Sequence, residues 1–273
     1  MGTADMAWRH WDRLTTAELR ALDVGRAIAI LPVAATEQHG PHLPLATDAL
    51  IADAIVDAAG THPTEACVLR LPTERIGVSV EHISFPGTLA LEPEMAIDVW
   101  TAIGMSVHRA GVRKLILFNT HGGQQAIVDI VAQRLRRAAG MLVVRASSFG
   151  LGLPGGAADA GEERYGLHGG RIETSMMLHI APDVVRRDKV ADFASNAAGW
   201  EAGFSVLEVE GATGIGWLAE DLNALGVTGD AAGASDALGA RLVDHFGRRL
   251  AALIADVDKL QPPRATSNGR TQG

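Results

Sequence analysis

The sequence has a single cysteine, Cys67, so no intramolecular disulfide can form. Cys67 lies in an apolar run that reads as a strand, which predicts a buried, inert thiol and is consistent with a reducing cytoplasm. Basic residues are not in excess: 24 Lys and Arg against 32 Asp and Glu give a formal net charge of −8. The two signs are interspersed, so the basic stripe that nucleic acid or an anionic membrane surface would need is missing. No segment approaches the roughly 18–20 apolar residues that span a bilayer. The opening MGTADMAWRHWDRL lacks the charged start and apolar run of a secretory signal, and Met6 stands where N-myristoylation wants Ser or Thr. No lysine follows a glycine turn and there is no G-x-G-x-x-G, which argues against a nucleotide-binding loop.

What is present predicts a globular α/β protein. Hydrophobic residues reach 47% over 273 residues, enough to bury a sizeable core. Short apolar runs alternate with segments of helical period, the pattern of a mostly parallel sheet covered by helices on both faces. Strands are predicted at Ala27–Ala35, Cys67–Leu71, Val112–Phe118 and Met141–Ala146. Helices are predicted from Thr47, as cap, to Ala59, then Pro93–Ala110, Gln124–Ala139, Ile172–Ile180 and Ala231–Val257. Residues 1–260 read as one domain, and Gln261–Gly273 as a disordered tail without apolar period. The glycine-rich stretch Gly150–Gly170 and the weakly periodic Asp183–Asp230 resist assignment; long loops of this kind are usually functional or oligomer-forming.

Three clusters carry chemistry. The first runs from Thr36 to Asp48 (TEQHGPHLPLATD), directly after the first predicted strand, where ligand-binding loops of doubly wound sheets lie. It brings Glu37, His39 and Asp48 into one loop stiffened by Pro41 and Pro44, and imidazole with carboxylate is a ligand set for zinc or manganese. The alternative is that Glu37 and His42 are solvated and Asp48 is an early-turn helix charge. The second cluster, Asn119-Thr120-His121-Gly122-Gly123-Gln124, follows the strand LILF, and its glycines permit unusual backbone or leave the imidazole unobstructed. The third is His168-Gly169-Gly170-Arg171-Ile172-Glu173-Thr174-Ser175, where Glu173 alone would read as dipole matching. Together they offer what a composite metal pocket requires, because no single segment surrounds a cation. His179, six residues past Glu173, is rotated away from it, and Trp100 and Met105 read as core.

These residues resemble the creatininase-type amidohydrolases, through TEQHGPHLP-x₃-D at Glu37–Asp48, EH-x₂-FPGT at Glu81–Thr88, N-x-HGG at Asn119–Gly123, H-x-G-x-x-ETS at His168–Ser175 and GV-x-GD at Gly226–Asp230. The resemblance implies a three-layer α/β/α fold and two divalent cations per subunit, zinc, manganese or iron. One cation would be held by Glu37, Asp48 and His121, the other by His39, Asp48 and a further carboxylate. Creatininases proper can take that carboxylate from the position of Gly123, so Glu173 is the remaining candidate. A metal-bound water would open the C–N bond of a small, cyclic amide, with His168 relaying a proton and Glu173 taking part in catalysis. Glu81 and His82 would stand behind the ligands or merely shape a turn, and Gly122, Gly123, Tyr165 and Arg171 would adjoin the substrate. The same scaffold serves formamide hydrolases and peptidases of the mycofactocin precursor. Arg145–Leu167 contains no tryptophan to close over creatinine, and Arg171 suggests an acidic or phosphorylated amide. The resemblance further implies a hexamer, to which Trp200, Phe204 and Trp217 would contribute. A metal-containing binding or assembly protein is the non-enzymatic alternative.

Overall fold

The computed structural model describes residues 8–261; of the predicted tail, only Gln261 falls within them. A five-stranded sheet forms the centre, made of β1 (Trp8–His10), β2 (Ile28–Val33), β3 (Val68–Arg70), β4 (Lys114–Asn119) and β5 (Leu142–Ser147). The order is β1-β3-β2-β4-β5, and every ladder is parallel. All residues of β2 and β4 are buried, as expected of strands covered on both faces. Alternation along the strands then feeds two cores. Ile28, Ile30, Ile116 and Phe118 face one core, whereas Ala29, Leu31, Leu115 and Leu117 face the other.

Helices α1 (Thr16–Ala21), α2 (Thr47–Gly60), α3 (Pro93–Arg109) and α4 (Gln125–Ala139) are followed by the short α5 (Ala160–Tyr165). The chain continues through α6 (Arg171–Ile180), α7 (Ala197–Glu201), α8 (Ala219–Leu222) and α9 (Asp236–Lys259). Ile51 and Ile55 of α2, Met177 of α6 and Phe246 and Leu250 of α9 cover the first face. Trp100 of α3 and Val128, Val131 and Leu135 of α4 cover the second, so Trp100 is core. The result is the three-layer α/β/α arrangement. Fully buried side chains such as Ile30, Leu117 and Phe246 each stabilise it by roughly 1.5–3 kcal/mol.

Several local expectations are corrected. Thr47 is the first helical residue rather than the cap; Ala46 holds that position, and the Thr47 hydroxyl donates back to the Pro44 carbonyl at 2.7 Å. The last helix starts at Asp236, because Ser235 caps it by accepting from the Leu238 amide. The edge strand β1 had no sequence signal, being three half-buried residues long. Within the weakly periodic stretch, β6 (Asp192–Phe193) pairs antiparallel with β7 (Gly229–Asp230).

The topology positions the site. From β2 the chain passes through α2 to β3 on one side, then crosses through α3 to β4 on the other. The carboxyl ends of β2 and β4 therefore flank a switch point, where doubly wound sheets open a crevice. The loops after β2, β3, β4 and β5 carry Glu37 and His39, Glu81 and His82, His121, and His168 respectively.

Candidate metal centre

At this crevice Glu37, His39, Asp48 and His121 are all at most 4% exposed, an unusual burial for charged groups unless they are paired or hold an ion. His39 Nε2 lies 3.2 Å from Asp48 Oδ1 and 3.9 Å from Glu173 Oε2. His121 Nδ1 lies 3.1 Å from Glu37 Oε1 and 3.5 Å from Asp48 Oδ2. Asp48 thus offers one oxygen to each of two donor groups. His168 Nδ1 and His82 Nε2 each stand 3.6 Å from Glu37 Oε1.

Hydrogen-bond partners fix which imidazole atoms are free. A carbonyl can only accept, so each ring nitrogen that meets one carries the proton. His39 Nδ1 donates to the Glu37 carbonyl, His121 Nε2 to the Val78 carbonyl and His168 Nε2 to the Gln38 carbonyl. In the neutral rings the opposite nitrogens, His39 Nε2, His121 Nδ1 and His168 Nδ1, then present lone pairs toward the carboxylates. Lone pair against carboxylate is repulsive unless a proton or a metal cation lies between. Both carboxylate oxygens of Glu37, His39 Nε2 and Asp48 Oδ2 have no hydrogen-bond partner although buried. Four converging, unpartnered buried acceptors fit a divalent cation site of mixed imidazole and carboxylate donors. Among the described residues, Glu37, His39 and Asp48 form one group whose ligand atoms could hold an ion; His39, His168 and Glu173, Glu37, His82 and His168, and Glu37, Glu81 and His121 form others.

Electrostatics agree with a site built for positive charge. Burial disfavours a charged His39, but Asp48, with Glu173 and Glu37, overrides it and raises the ring to about 9. Burial likewise opposes a charged His121, which Glu37, Glu81 and Asp48 hold well above the ordinary value. Burial raises Asp48, reinforced by Glu37, and burial also raises Glu173. Burial would raise Glu37 too, yet His121, His168 and His82 hold it well below the usual range. His168 is pushed well down by burial, with His39 and His82 adding to it, and so stays neutral.

A supporting layer holds these groups. Asn119 accepts from the His121 amide at 3.1 Å and donates to its carbonyl at 2.7 Å. The Gly169 amide donates to Glu173 Oε2 at 2.6 Å, and the Gly169 carbonyl accepts from His42 Nε2 at 3.0 Å. Burial lowers His42 to about 4, keeping it neutral. Thr120 Oγ1 donates to the Asp48 carbonyl, tying the β4 loop to α2. Gln38, His42 and Asn119 lie within the motifs, where their only signal is proximity to the candidate ligands; His42 is fully buried rather than solvated, as is Glu37.

The other predicted site residues are placed as follows. Glu81 Oε1 sits 3.2 Å behind His121, on Nε2. Gly122 faces open space, and neither it nor Gly123 has a positive φ, so unusual backbone is not what these glycines supply. Gly123 instead leaves room: a Cβ there would lie 2.7 Å from the Glu81 carboxyl carbon and 2.9 Å from His121 Nε2. Tyr165 turns away and donates to Glu201 Oε2 at 3.1 Å. Arg171 is engaged by Asp230 and Asp159. His179 pairs with Asp236 outside the cluster. Beside Glu173 a cavity of about 370 Å³ is lined mainly by apolar side chains, including Phe149, Leu153, Leu167, Ile172 and Met176.

The profile of the creatininase family, described as creatinine amidohydrolase, matches residues 12–254. The chain belongs to the creatininase family. Among curated members, a mycofactocin precursor peptide peptidase of Mycobacterium ulcerans is 33% identical over 175 residues, 62% of this chain and 64% of that protein. The chain thus spans somewhat under two thirds of that relative's length. A creatinine amidohydrolase of Pseudomonas putida is 27% identical over 208 residues, covering 69% of this chain and 75% of that protein. A mutant creatininase described as of Zn-Zn type superposes with a TM-score of 0.74 at 24% identity, covering 92% of this chain and 98% of that one. At that identity the superposition shows the creatininase fold alone.

Proposed function

We propose that this creatininase-family chain is a binuclear-metal amidohydrolase that cleaves an amide C–N bond with water. The observation that carries the reading is the set of four buried acceptors without partners, on Glu37, His39 and Asp48, together with the three imidazole lone pairs aimed at carboxylates. Glu37, Asp48 and His121 would hold one cation, and His39, Asp48 and Glu173 the other. When bound, such a pair lowers the pKa of water toward neutrality and polarises a carbonyl. His168, kept neutral with Nδ1 free, accepts a proton at that atom and passes it to the leaving nitrogen. The Gly169 amide holds Glu173 in place beside the cavity.

The cavity supports a substrate with an apolar group next to the cut bond. An acidic or phosphorylated amide loses its support, because the Arg171 guanidinium is already paired. Two of the remaining substrate classes have specific support. The 33% identity to peptidases favours a short peptide with an apolar flank, and the family description favours a small cyclic amide such as creatinine. The test is to load the purified chain with zinc or manganese and assay creatinine, cyclic ureides, lactams, formamides and short apolar peptides for amine release or ring opening. Turnover of one class identifies the substrate; two bound equivalents of metal with no turnover of any would refute the enzyme and leave the binding or assembly role.

A further inference from the structure

Four histidines ring Glu37 and Asp48, and three of them present a lone pair. His82 is the exception. Its Nδ1 meets Gln38 Nε2 at 2.9 Å, and the same Gln38 nitrogen donates to the Gly226 carbonyl at 2.6 Å, while Gln38 Oε1 accepts from the Gly40 amide at 2.9 Å. Both ends of the Gln38 amide are therefore assigned by backbone groups, and a flipped amide would set its oxygen against the Gly226 carbonyl and its nitrogen against the Gly40 N–H. With the NH₂ group facing it, His82 Nδ1 accepts. The His82 proton then sits on Nε2, which points at Glu37 Oε1 from 3.6 Å. His82 is 1% exposed, so no solvent competes to reverse this arrangement.

We infer that His82 is a positioning residue and not a metal ligand: Gln38 locks its tautomer so that Nε2–H, and not a lone pair, faces the Glu37 carboxylate 3.6 Å away. The inference rests on the proposed metal reading only in taking Glu37 as a ligand. A neutral donor beside a buried ligand carboxylate stabilises its charge and its orientation without competing for the ion, as outer partners of metal ligands do. It also separates the donors. Glu37, His82 and His168 lie close enough to form a cation site of their own, and the protonated Nε2 closes that site. The contrast with His121 is instructive, because there the outer partner is the Val78 carbonyl and the lone pair turns inward. One amide on Gln38 thus decides whether a histidine of this ring donates or ligates.

The test uses the full chain loaded with zinc and labelled with ¹⁵N-histidine. Two-bond ¹⁵N–¹H correlations report which ring nitrogen carries the proton, and the His82→Gln variant assigns the His82 signals by their loss. The expected result is N–H on Nε2 and a bare Nδ1 for His82 in the wild type. In Gln38→Glu a carboxylate faces Nδ1, so the proton should move there, and zinc content should rise or redistribute as His82 and His168 gain a shared ion. His82→Gln keeps an N–H donor and should retain every equivalent of zinc, with affinity lowered by no more than about tenfold. Protonation of His82 on Nδ1 in the wild type, or loss of a zinc equivalent in His82→Gln, would overturn the inference. Should Gln38→Glu not fold, those two measurements decide alone. A chain that binds no zinc yet shows the Nε2–H tautomer would refute the metallohydrolase and uphold the role of Gln38.

Discussion

Replacing Gly123 by alanine displaces the outer support of His121. The new Cβ would overlap Glu81 Oε1 outright and stand 2.7 Å from the carboxyl carbon, so the carboxylate must retreat by more than about 1 Å to reach ordinary contact. The Glu81–His121 separation, 3.2 Å now, would then exceed hydrogen-bond range. His121 would keep one outer partner, the Val78 carbonyl, and lose its charged one. Loss of such a partner costs about 10–100-fold in metal affinity, or about 1.4–2.7 kcal/mol. The Cβ would also stand 2.9 Å from Nε2 of the buried His121 ring, so the thermal midpoint is measured beside affinity to separate a strained fold from a lost partner. Gly122→Ala is the internal control, since nothing lies within 4 Å of its Cβ. Zinc affinity would be measured by competition with a chelator for Gly123→Ala, Glu81→Ala and the double variant. If the methyl acts through Glu81, the double variant should bind no more weakly than Glu81→Ala, a full failure of additivity. Wild-type affinity in Gly123→Ala, or additive losses in the double variant, would refute the reasoning.

Asp48→Ala should remove both cations, because one oxygen of this carboxylate faces each donor set; two retained equivalents by elemental analysis would sink the bridge. His168→Ala should keep its metal but lower kcat by roughly 10²–10⁴-fold, as for a lost proton relay. Metal loss instead would make His168 a ligand. Cation binding must displace the protons of His39, raised to about 9, and of His121, held well above its ordinary value, so affinity should fall by more than about tenfold per unit as pH drops from 8 to 6. A flat profile would remove His39 from the ligand set. Exposed Phe204, Val206 and Leu207 support assembly, although Trp200 and Trp217 pack within the protomer. Light scattering should report a multiple of 28.6 kDa, with six copies expected, and a mass of one chain would refute it.

The parts of the fold legible in the sequence are those where period and burial coincide. β2 and β4 are apolar runs because both faces are covered, and α4 ends where expected because Gly140 takes the left-handed conformation at φ 66°. Ligand candidates were legible because Glu37, His39 and Asp48 share one loop. What sequence could not carry was distance across the switch point. Glu81 and His82 read either as groups behind the ligands or as a turn before Phe85, and only the fold, in which the β3 loop sets them against His121 and Glu37, separates the two. Arg171 read as an anion binder because its partner Asp230 lies 59 residues away. Thr47 failed as a cap because the preceding turn at Pro44 captures its hydroxyl.

The Gln38–Gly226 hydrogen bond closes a span of 188 residues, and that span sets a clock. At about 5–20 residues per second of synthesis, roughly 10–40 s separate the emergence of Gln38 from that of Gly226. Through that interval Gln38 has left the ribosome while the carbonyl that fixes its amide has not. A cation taken up before Gly226 emerges would therefore meet Gln38, and through it His82, without the carbonyl that fixes them.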